Sequence, residues 1–136
     1  LLADDETRTL HHLMTGVPWF QLGMEVCCTA SNGSEALAFI ESHPIDILIT
    51  DIRMPGMTGL ELQEEMNRRG FRLPIIFLTA HGDVAMAVGA MQKGAVNFLL
   101  KPIDPAAFAR AVSQAVQLQG RIQNDALESA SHALNP

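Results

Sequence analysis

The sequence predicts a single α/β domain with a doubly wound, parallel sheet of five strands. Short apolar segments alternate with segments of helical character along the 136 residues, which is the pattern of parallel strands joined by crossover helices. The third apolar segment, residues 45–50, is dense in Ile and Leu, as expected for a strand that is covered on both faces. Five consecutive units of strand and helix favour a doubly wound sheet.

In the first half of the chain, turn residues mark where the elements begin and end. Residues 1–3 form a short apolar strand, and a helix from about residue 6 to residue 14 is expected to stop before Gly16. Residues 24–29 predict the second strand. The turn that follows leads into a helix for which we expect Ser34 to be the N-terminal cap.

The second half of the chain repeats the pattern, with glycine as the expected stop residue of two helices. The predicted elements are a helix at 60–69 before Gly70, a strand at 74–79, a helix at 84–93 before Gly94, a strand at 96–100, and a helix that is capped by Asp104 and reaches at least Gln119. The domain is therefore expected to cover residues 1–119. Residues 120–136 predict either a continuation of the last helix or a linker toward a missing domain, because their composition mixes helix-favouring and helix-breaking residues.

Composition and charge exclude several classes of protein. The hydrophobic content of 48% is that of a folded globular chain, and the apolar runs are too short to span a membrane. A net charge of −6 provides no basic stripe for binding nucleic acid directly. No charged segment followed by an apolar one opens the chain, so we expect a cytoplasmic protein.

Ionisable and polar side chains follow four of the predicted strands, at the edge where doubly wound sheets bind ligands. Asp4 and Asp5 follow the first strand, Asp51 the third and Lys101 the fifth, while Thr79 ends the fourth. Three carboxylates that lie close together repel one another unless a cation neutralises them. Carboxylate oxygens are hard ligands, so the sequence predicts a Mg²⁺ site at this edge.

A metal ion beside an amine and a hydroxyl is the environment that a phosphoryl group requires. The metal and the Lys101 ammonium would neutralise charge on the phosphoryl oxygens, and the Thr79 hydroxyl would donate a hydrogen bond. An aspartate can itself be the nucleophile and form an aspartyl phosphate. Asp51 is the best placed for this role because it ends the central strand, whereas Asp4 and Asp5 are better placed to hold the metal.

Four segments of the chain together resemble the receiver domain of bacterial two-component response regulators. They are Asp4-Asp5-Glu6, the run from Asp51 to Gly59, Thr79-Ala80 and Lys101-Pro102. The resemblance implies a flavodoxin-like fold with the strand order 2-1-3-4-5. It also implies a switch that receives a phosphoryl group from a sensor histidine kinase. Such a domain assists its own Mg²⁺-dependent phosphorylation and dephosphorylation and is not an enzyme with an external substrate.

The resemblance implies a role for each matching residue at the metal and phosphoryl site. Asp51 would be the phosphoacceptor, and Asp5 and Asp51 would ligate Mg²⁺ directly. Asp4 would act mainly through water, and the backbone carbonyl of Arg53 would complete the ligands from the protein. Lys101 would pair with the phosphoryl group.

The same resemblance implies how phosphorylation would be reported. The Lys101–Pro102 peptide bond would be cis. Thr79 would move toward the phosphoryl oxygen, and Phe98 would rotate inward to fill the vacated space. The helix at 84–93, the fifth strand and the last helix would then present a changed surface, which could also mediate a homodimer.

Two positions that vary within the resembled family are occupied here by bulky side chains. Arg53 and His81 each lie two residues after a site residue, Asp51 and Thr79 respectively. We expect the bulk of Arg53 and His81 to hinder the attack of water on the phosphoryl group and so to lengthen the lifetime of the phosphorylated form.

Other functions remain as alternatives. A Mg²⁺-dependent aspartyl phosphatase of the haloacid-dehalogenase type would carry a second acid where this chain has Arg53. A flavodoxin-like electron carrier would carry a Ser/Thr/Gly-rich phosphate loop where this chain has acids, and a docking-only receiver would lack the intact acid set. Within the receiver class, we expect the receiver of a transcription regulator, and a free-standing or hybrid-kinase phosphorelay receiver is the alternative.

Overall fold

The computed structural model describes residues 1–134, without the side chains of His81 and of residues 129–134. Its strands are β1 (Leu2–Ala3), β2 (Thr29–Ala30), β3 (Leu48–Asp51), β4 (Ile75–Thr79) and β5 (Asn97–Leu100). Its helices are α1 (Thr7–Gly16), α2 (Gly33–Ser42), α3 (Gly59–Arg69), α4 (Val84–Gln92) and α5 (Pro105–Leu134), and a 3-10 turn (His81–Asp83) precedes α4. All strand pairs are parallel, in the order β2-β1-β3-β4-β5. The predicted fold class and strand order are confirmed.

Helices cover both faces of the sheet, as predicted for strands of continuous apolar character. Side chains of β4 alternate between the two faces, with Ile75 and Phe77 in one hydrophobic core and Ile76 and Leu78 in the other. Helices α2, α3 and α4 supply the helical side chains of the first core, and α1 and α5 supply those of the second. The sheet is therefore a buried middle layer, and the carboxyl ends of its strands lie at one edge.

The second strand is much shorter than predicted. Residues 24–29 were expected to form it, whereas β2 covers Thr29–Ala30 alone. In the part of the chain that the structure describes, β2 pairs with β1, where Leu2 and Ala3 are the paired residues. The alternating exposure of the preceding residues still matches an extended segment.

Two helix caps illustrate a wrong and a correct prediction. The N-terminal cap of α2 is Asn32 instead of Ser34, since the Asn32 side chain accepts a hydrogen bond of 2.8 Å from the backbone N–H of Glu35. Asp104 caps α5 as predicted, because its carboxylate accepts a 3.1 Å bond from the backbone N–H of Ala107.

The last helix is long. Helix α5 comprises 30 residues and continues through residues 120–134, so the described part of this stretch is helical, which is one of the two predicted alternatives. Residues 135–136 lie outside the described part of the chain. Among residues 1–134, no helix combines the length and the apolar character needed to cross a membrane.

Candidate functional site

The register of the sheet places two of the predicted acids side by side. Ala3 of β1 pairs with Thr50 of β3, so Asp4 and Asp51, one residue further along, lie at the same edge of the sheet. Thr79 ends the neighbouring strand β4 at this edge. The predicted convergence of side chains at the carboxyl ends of the strands therefore follows from the backbone pairing.

Lys101 reaches this acidic edge from β5. Its backbone N–H donates a 2.9 Å hydrogen bond to the carbonyl of Thr79. This bond holds the backbone of Lys101 beside the end of β4. Its ammonium donates to Oδ2 of Asp4 at 3.0 Å and to Oδ2 of Asp51 at 3.3 Å, and it lies 3.4 Å from Oε2 of Glu6. The peptide bond between Lys101 and Pro102 is cis, the isomer that the resemblance implies.

Three carboxylates form a cluster that fits a divalent cation. Asp4, Asp5 and Asp51 each offer a carboxylate oxygen, and these oxygens lie within 4.8 Å of one another. Asp4 is buried, Asp51 is partly buried and Asp5 is exposed, so the cluster is open to solvent on one side. Hard oxygen donors with an open side suit Mg²⁺, which keeps several of its waters when it binds a protein.

Burial and neighbouring charges shift the pKa values of Asp51 and Lys101. Burial first, and then the charge of Asp4, raise the pKa of Asp51 to about 6, although Lys101 acts in the opposite direction. Partial burial alone would lower the pKa of the Lys101 ammonium, but the hydrogen bond to Asp4 and the charge of Asp51 offset this and raise it above its usual value. Lys101 therefore carries a positive charge at neutral pH. Its single charge offsets only part of the repulsion among the three carboxylates.

Two glycines hold the loop that follows Asp51. A Cβ on Gly59 would collide with the carbonyl oxygen of Asp51, and a Cβ on Gly33 would collide with the carbonyl oxygen of Met57. The backbone N–H of Gly59 donates to the carbonyl of Ile52 at 2.9 Å, and that of Gly33 donates to the carbonyl of Met57 at the same distance. The first residues of α3 and α2 thus contact both ends of this loop and hold it against the sheet.

Thr79 and Phe98, the two residues that are predicted to report phosphorylation, lie on the neighbouring strands β4 and β5. Thr79 is fully buried, and its hydroxyl donates a 3.2 Å hydrogen bond to the carbonyl of Ala80. Phe98 pairs in register with Phe77 and is partly buried against the core under α2, α3 and α4. Their movement on phosphorylation stays a prediction.

Arg53 forms an ion pair that sequence reasoning missed. Its Nε lies 2.9 Å from Oδ1 and 2.8 Å from Oδ2 of Asp83, and its Nη2 lies 2.8 Å from Oδ1. The Asp83 side chain is 8% exposed and the Arg53 side chain 69%. The hydrogen bond lowers the pKa of the Asp83 carboxyl and raises that of the Arg53 guanidinium. The two residues are 30 positions apart, and no local pattern connects them.

Glu6 belongs to the quoted acidic motif, and its contact with Lys101 was not predicted. The side chain of His81 lies outside the described part of the chain, so its predicted effect on dephosphorylation stays a prediction.

Comparison with known proteins identifies the family. A family model described as the response regulator receiver domain matches residues 1–113. This chain belongs to that family. Receiver domains of response regulators are signalling domains, and the membership favours this class over the aspartyl phosphatase and flavin-carrier alternatives.

Similar proteins include transcription regulators and solved receiver structures. The transcriptional regulatory protein FixJ of Azorhizobium caulinodans is 49% identical over 82 residues, which are 58% of this chain and 39% of FixJ. The DNA-binding transcriptional regulator NtrC of Salmonella typhimurium is 49% identical over 78 residues, which are 57% of this chain and 17% of NtrC. A two-component transcriptional regulator AraC from Clostridium phytofermentans has a TM-score of 0.81 at 30% identity, over 90% of this chain and 95% of that chain. The matched segments span less than half of the length of these two curated relatives.

Proposed function

We propose that this receiver domain accepts a phosphoryl group on Asp51 from a sensor histidine kinase. The observation that carries the proposal is the position of the Lys101 ammonium, which donates hydrogen bonds to both Asp4 and Asp51 beside the cluster of three carboxylates. An acid at a strand end is common. Here the acid belongs to a cluster that can bind a cation, and it also contacts a lysine. These are the charges that a phosphoryl-transfer site requires.

The transfer is a displacement at phosphorus. A carboxylate oxygen of Asp51 attacks the phosphorus, a P–O bond forms, and the P–N bond to the kinase imidazole breaks with its electron pair leaving on nitrogen. Asp5 and Asp51 would hold Mg²⁺ directly, Asp4 through water, and the carbonyl of Arg53 would complete the set. When bound, the ion supplies neutralising charge to the phosphoryl oxygens. Lys101 would pair with the same oxygens, which is supported by the 3.3 Å distance between its ammonium and Oδ2 of Asp51.

The response would spread from Thr79. Its hydroxyl, now bonded to the carbonyl of Ala80, would turn toward a phosphoryl oxygen, and Phe98 would rotate inward. The surface made of α4, β5 and α5 would change as a result. This surface exposes apolar residues from two of its elements, Val88 of α4 and Leu100 of β5, which supports a role in homodimer formation.

The whole protein would be a cytoplasmic transcription regulator with an output domain. This rests on the relatives, which are regulators of transcription and are much longer than the matched segment. DNA binding would belong to the output domain, because the receiver carries a net charge of −6. The receiver would assist its own phosphorylation and dephosphorylation and would have no external substrate.

Intact mass measurement tests the phosphoacceptor. The chain is incubated with Mg²⁺ and acetyl phosphate, and we expect a gain of about 80 Da, the mass of one phosphoryl group. Asp51→Asn should abolish this gain. Asp46→Asn, which changes an exposed acid before β3, is the matched control and should retain it. The proposal is wrong if the parent gains no mass, or if Asp51→Asn gains as much as the parent.

A further inference from the structure

The ion pair between Arg53 and Asp83 connects the phosphoacceptor loop to the beginning of α4. Arg53 lies two residues after Asp51, and Asp83 is the last residue of the turn that leads into α4. The guanidinium contacts both oxygens of the carboxylate, and its Nη2 also lies 3.7 Å from the sulfur of Met86 in α4. The first turn of α4 is therefore attached to the loop that carries Arg53.

The opposite end of α4 is attached to α3 by a separate set of polar contacts. The buried amide of Gln63 donates a 3.0 Å hydrogen bond from Nε2 to the carbonyl of Ala90. Asn67 donates to the carbonyl of Lys93 at 3.3 Å, and the Lys93 ammonium lies 2.7 Å from Glu64. None of these contacts involves Asp51 or its loop, so this end of α4 has an attachment that does not include the phosphoacceptor.

Between its two ends, α4 buries mainly small side chains. Its fully buried residues are Ala87 and Ala90, and alanine side chains bury little apolar area. Met86 and Met91 are partly buried against the same core. Gly82 lies in the turn before the helix, and a Cβ there would meet nothing within 4 Å, so no packed side chain holds the turn at that position. Apart from the packing of α4 on the core, the ion pair with Arg53 attaches the N-terminal end of this helix.

A phosphoryl group on Asp51 would compete with Asp83 for the guanidinium. The phosphoryl group carries nearly two negative charges and several acceptor oxygens, whereas the Asp83 carboxylate carries a single negative charge. The planar guanidinium matches both acceptors in geometry. Because the Arg53 side chain is 69% exposed, it is free to change direction without leaving a packed core.

We propose that Arg53 exchanges Asp83 for the phosphoryl group on Asp51, and that the N-terminal end of α4 then pivots about its C-terminal attachment to α3. Asp83 is in this view a positioning residue for the unphosphorylated state. The proposal rests on the proposed function, since the exchange needs a phosphoryl group on Asp51.

Affinity for beryllofluoride, an analogue of the phosphoryl group, tests the competition. Titration calorimetry in Mg²⁺ should show that Asp83→Asn binds about three- to tenfold more tightly than the parent, because the competitor of the phosphoryl group is removed. Arg53→Gln should bind more weakly by a similar factor, and the double variant should resemble Arg53→Gln. Glu64→Gln breaks the exposed ion pair at the other end of α4 and should leave the affinity unchanged. A pair that is merely structural would move both single variants in the same direction, and that result would overturn the exchange.

Amide hydrogen exchange tests the pivot on the same samples. Phosphorylation of the parent should speed exchange in residues 84–88 and leave residues 89–95 protected. Asp83→Asn should show the faster exchange in 84–88 before phosphorylation. Intact mass separates the two proposals: with the mass gain present and exchange in 84–88 unchanged, only the pivot is wrong, whereas with no mass gain both proposals fail.

Discussion

Gly59 packs so closely against the carbonyl oxygen of Asp51 that no Cβ could be placed between them. The first residue of α3 and the last residue of β3 are thus in contact through backbone atoms alone. Asp51 can occupy this position because residue 59, eight residues later in the chain, is a glycine and has no side chain.

The first prediction concerns this contact. Gly59→Ala should push α3 away from the end of β3, lower the free energy of unfolding by about 1–3 kcal/mol, and slow phosphorylation by acetyl phosphate. Urea denaturation and the time course of the mass gain measure the two effects. Gly120→Ala is the control, since a Cβ there would meet nothing within 4 Å, and alanine should stabilise α5 by up to about 1 kcal/mol. Equal effects of the two substitutions would contradict the argument.

Lys101→Met should slow phosphorylation by roughly 10- to 100-fold, because it removes the positive charge that is preorganised for the phosphoryl group. It should also raise the pKa of Asp51 above about 6, since Lys101 now acts to lower it. The mass gain with time gives the rate, and NMR titration of the Asp51 carboxyl gives the pKa. Lys93→Met removes an exposed lysine that pairs with Glu64, and it should change neither quantity. A Lys101→Met rate within twofold of the parent would be evidence against a role for this lysine.

The pKa of Asp51 predicts a stability effect in the absence of Mg²⁺. Its value of about 6 in the folded chain lies above the value of about 3.9 for an unfolded aspartate. The folded state therefore binds more protons between these values, and stability falls as the pH rises from about 4 to about 6. Asp51→Asn should remove this penalty and stabilise the chain at pH 7 by about 1–2 kcal/mol.

The pH series provides the check. Urea denaturation in EDTA should show that the advantage of Asp51→Asn is full above about pH 6 and disappears toward about pH 4. Added Mg²⁺ should stabilise the parent more than the variant, because the variant lacks one carboxylate ligand. An advantage of the same size at every pH would mean that the charge of Asp51 is not its origin.

Val88→Glu tests the exposed apolar surface of α4, β5 and α5. Val88 is 46% exposed on α4, and a carboxylate there should weaken self-association of the phosphorylated chain without changing the mass gain. Sedimentation velocity before and after phosphorylation measures the self-association. Leu127→Glu, at a residue of α5 that is 69% exposed, distinguishes this surface from the later part of α5. If Leu127→Glu weakened self-association more than Val88→Glu, the interface would lie along the later part of α5.

The sequence was sufficient to predict the fold class and the convergence of the acids with Lys101. Parallel strands share one carboxyl edge, so residues that follow separate strands must meet there. The bounds of β2 were less predictable, because the alternating exposure that is typical of a strand extends through residues 24–28, which precede β2. The cap of α2 was misassigned because Asn32 and Ser34 are both favourable cap residues.

Contacts between loops could not be predicted in the same way. The ion pair of Arg53 with Asp83 depends on how two connecting segments approach each other beyond the carboxyl ends of the strands. Neither segment has the periodic spacing of apolar residues that predicts a helix or a strand. The contact of Lys101 with Glu6 has the same origin, because it depends on the direction in which the chain leaves β1.

The unbroken course of α5 has a mechanical consequence. At a rise of about 1.5 Å per residue, a helix of 30 residues is about 45 Å long. Among the described side chains of α5, those that pack into the core lie in its first part, namely Phe108, Ala111, Val112 and Ala115. The helix extends about 28 Å beyond Ala115, so a tilt of about 10° about the packed part would move the far end by roughly 5 Å. A small rotation of α5 beside the sheet would therefore become a displacement of several ångström at its far end.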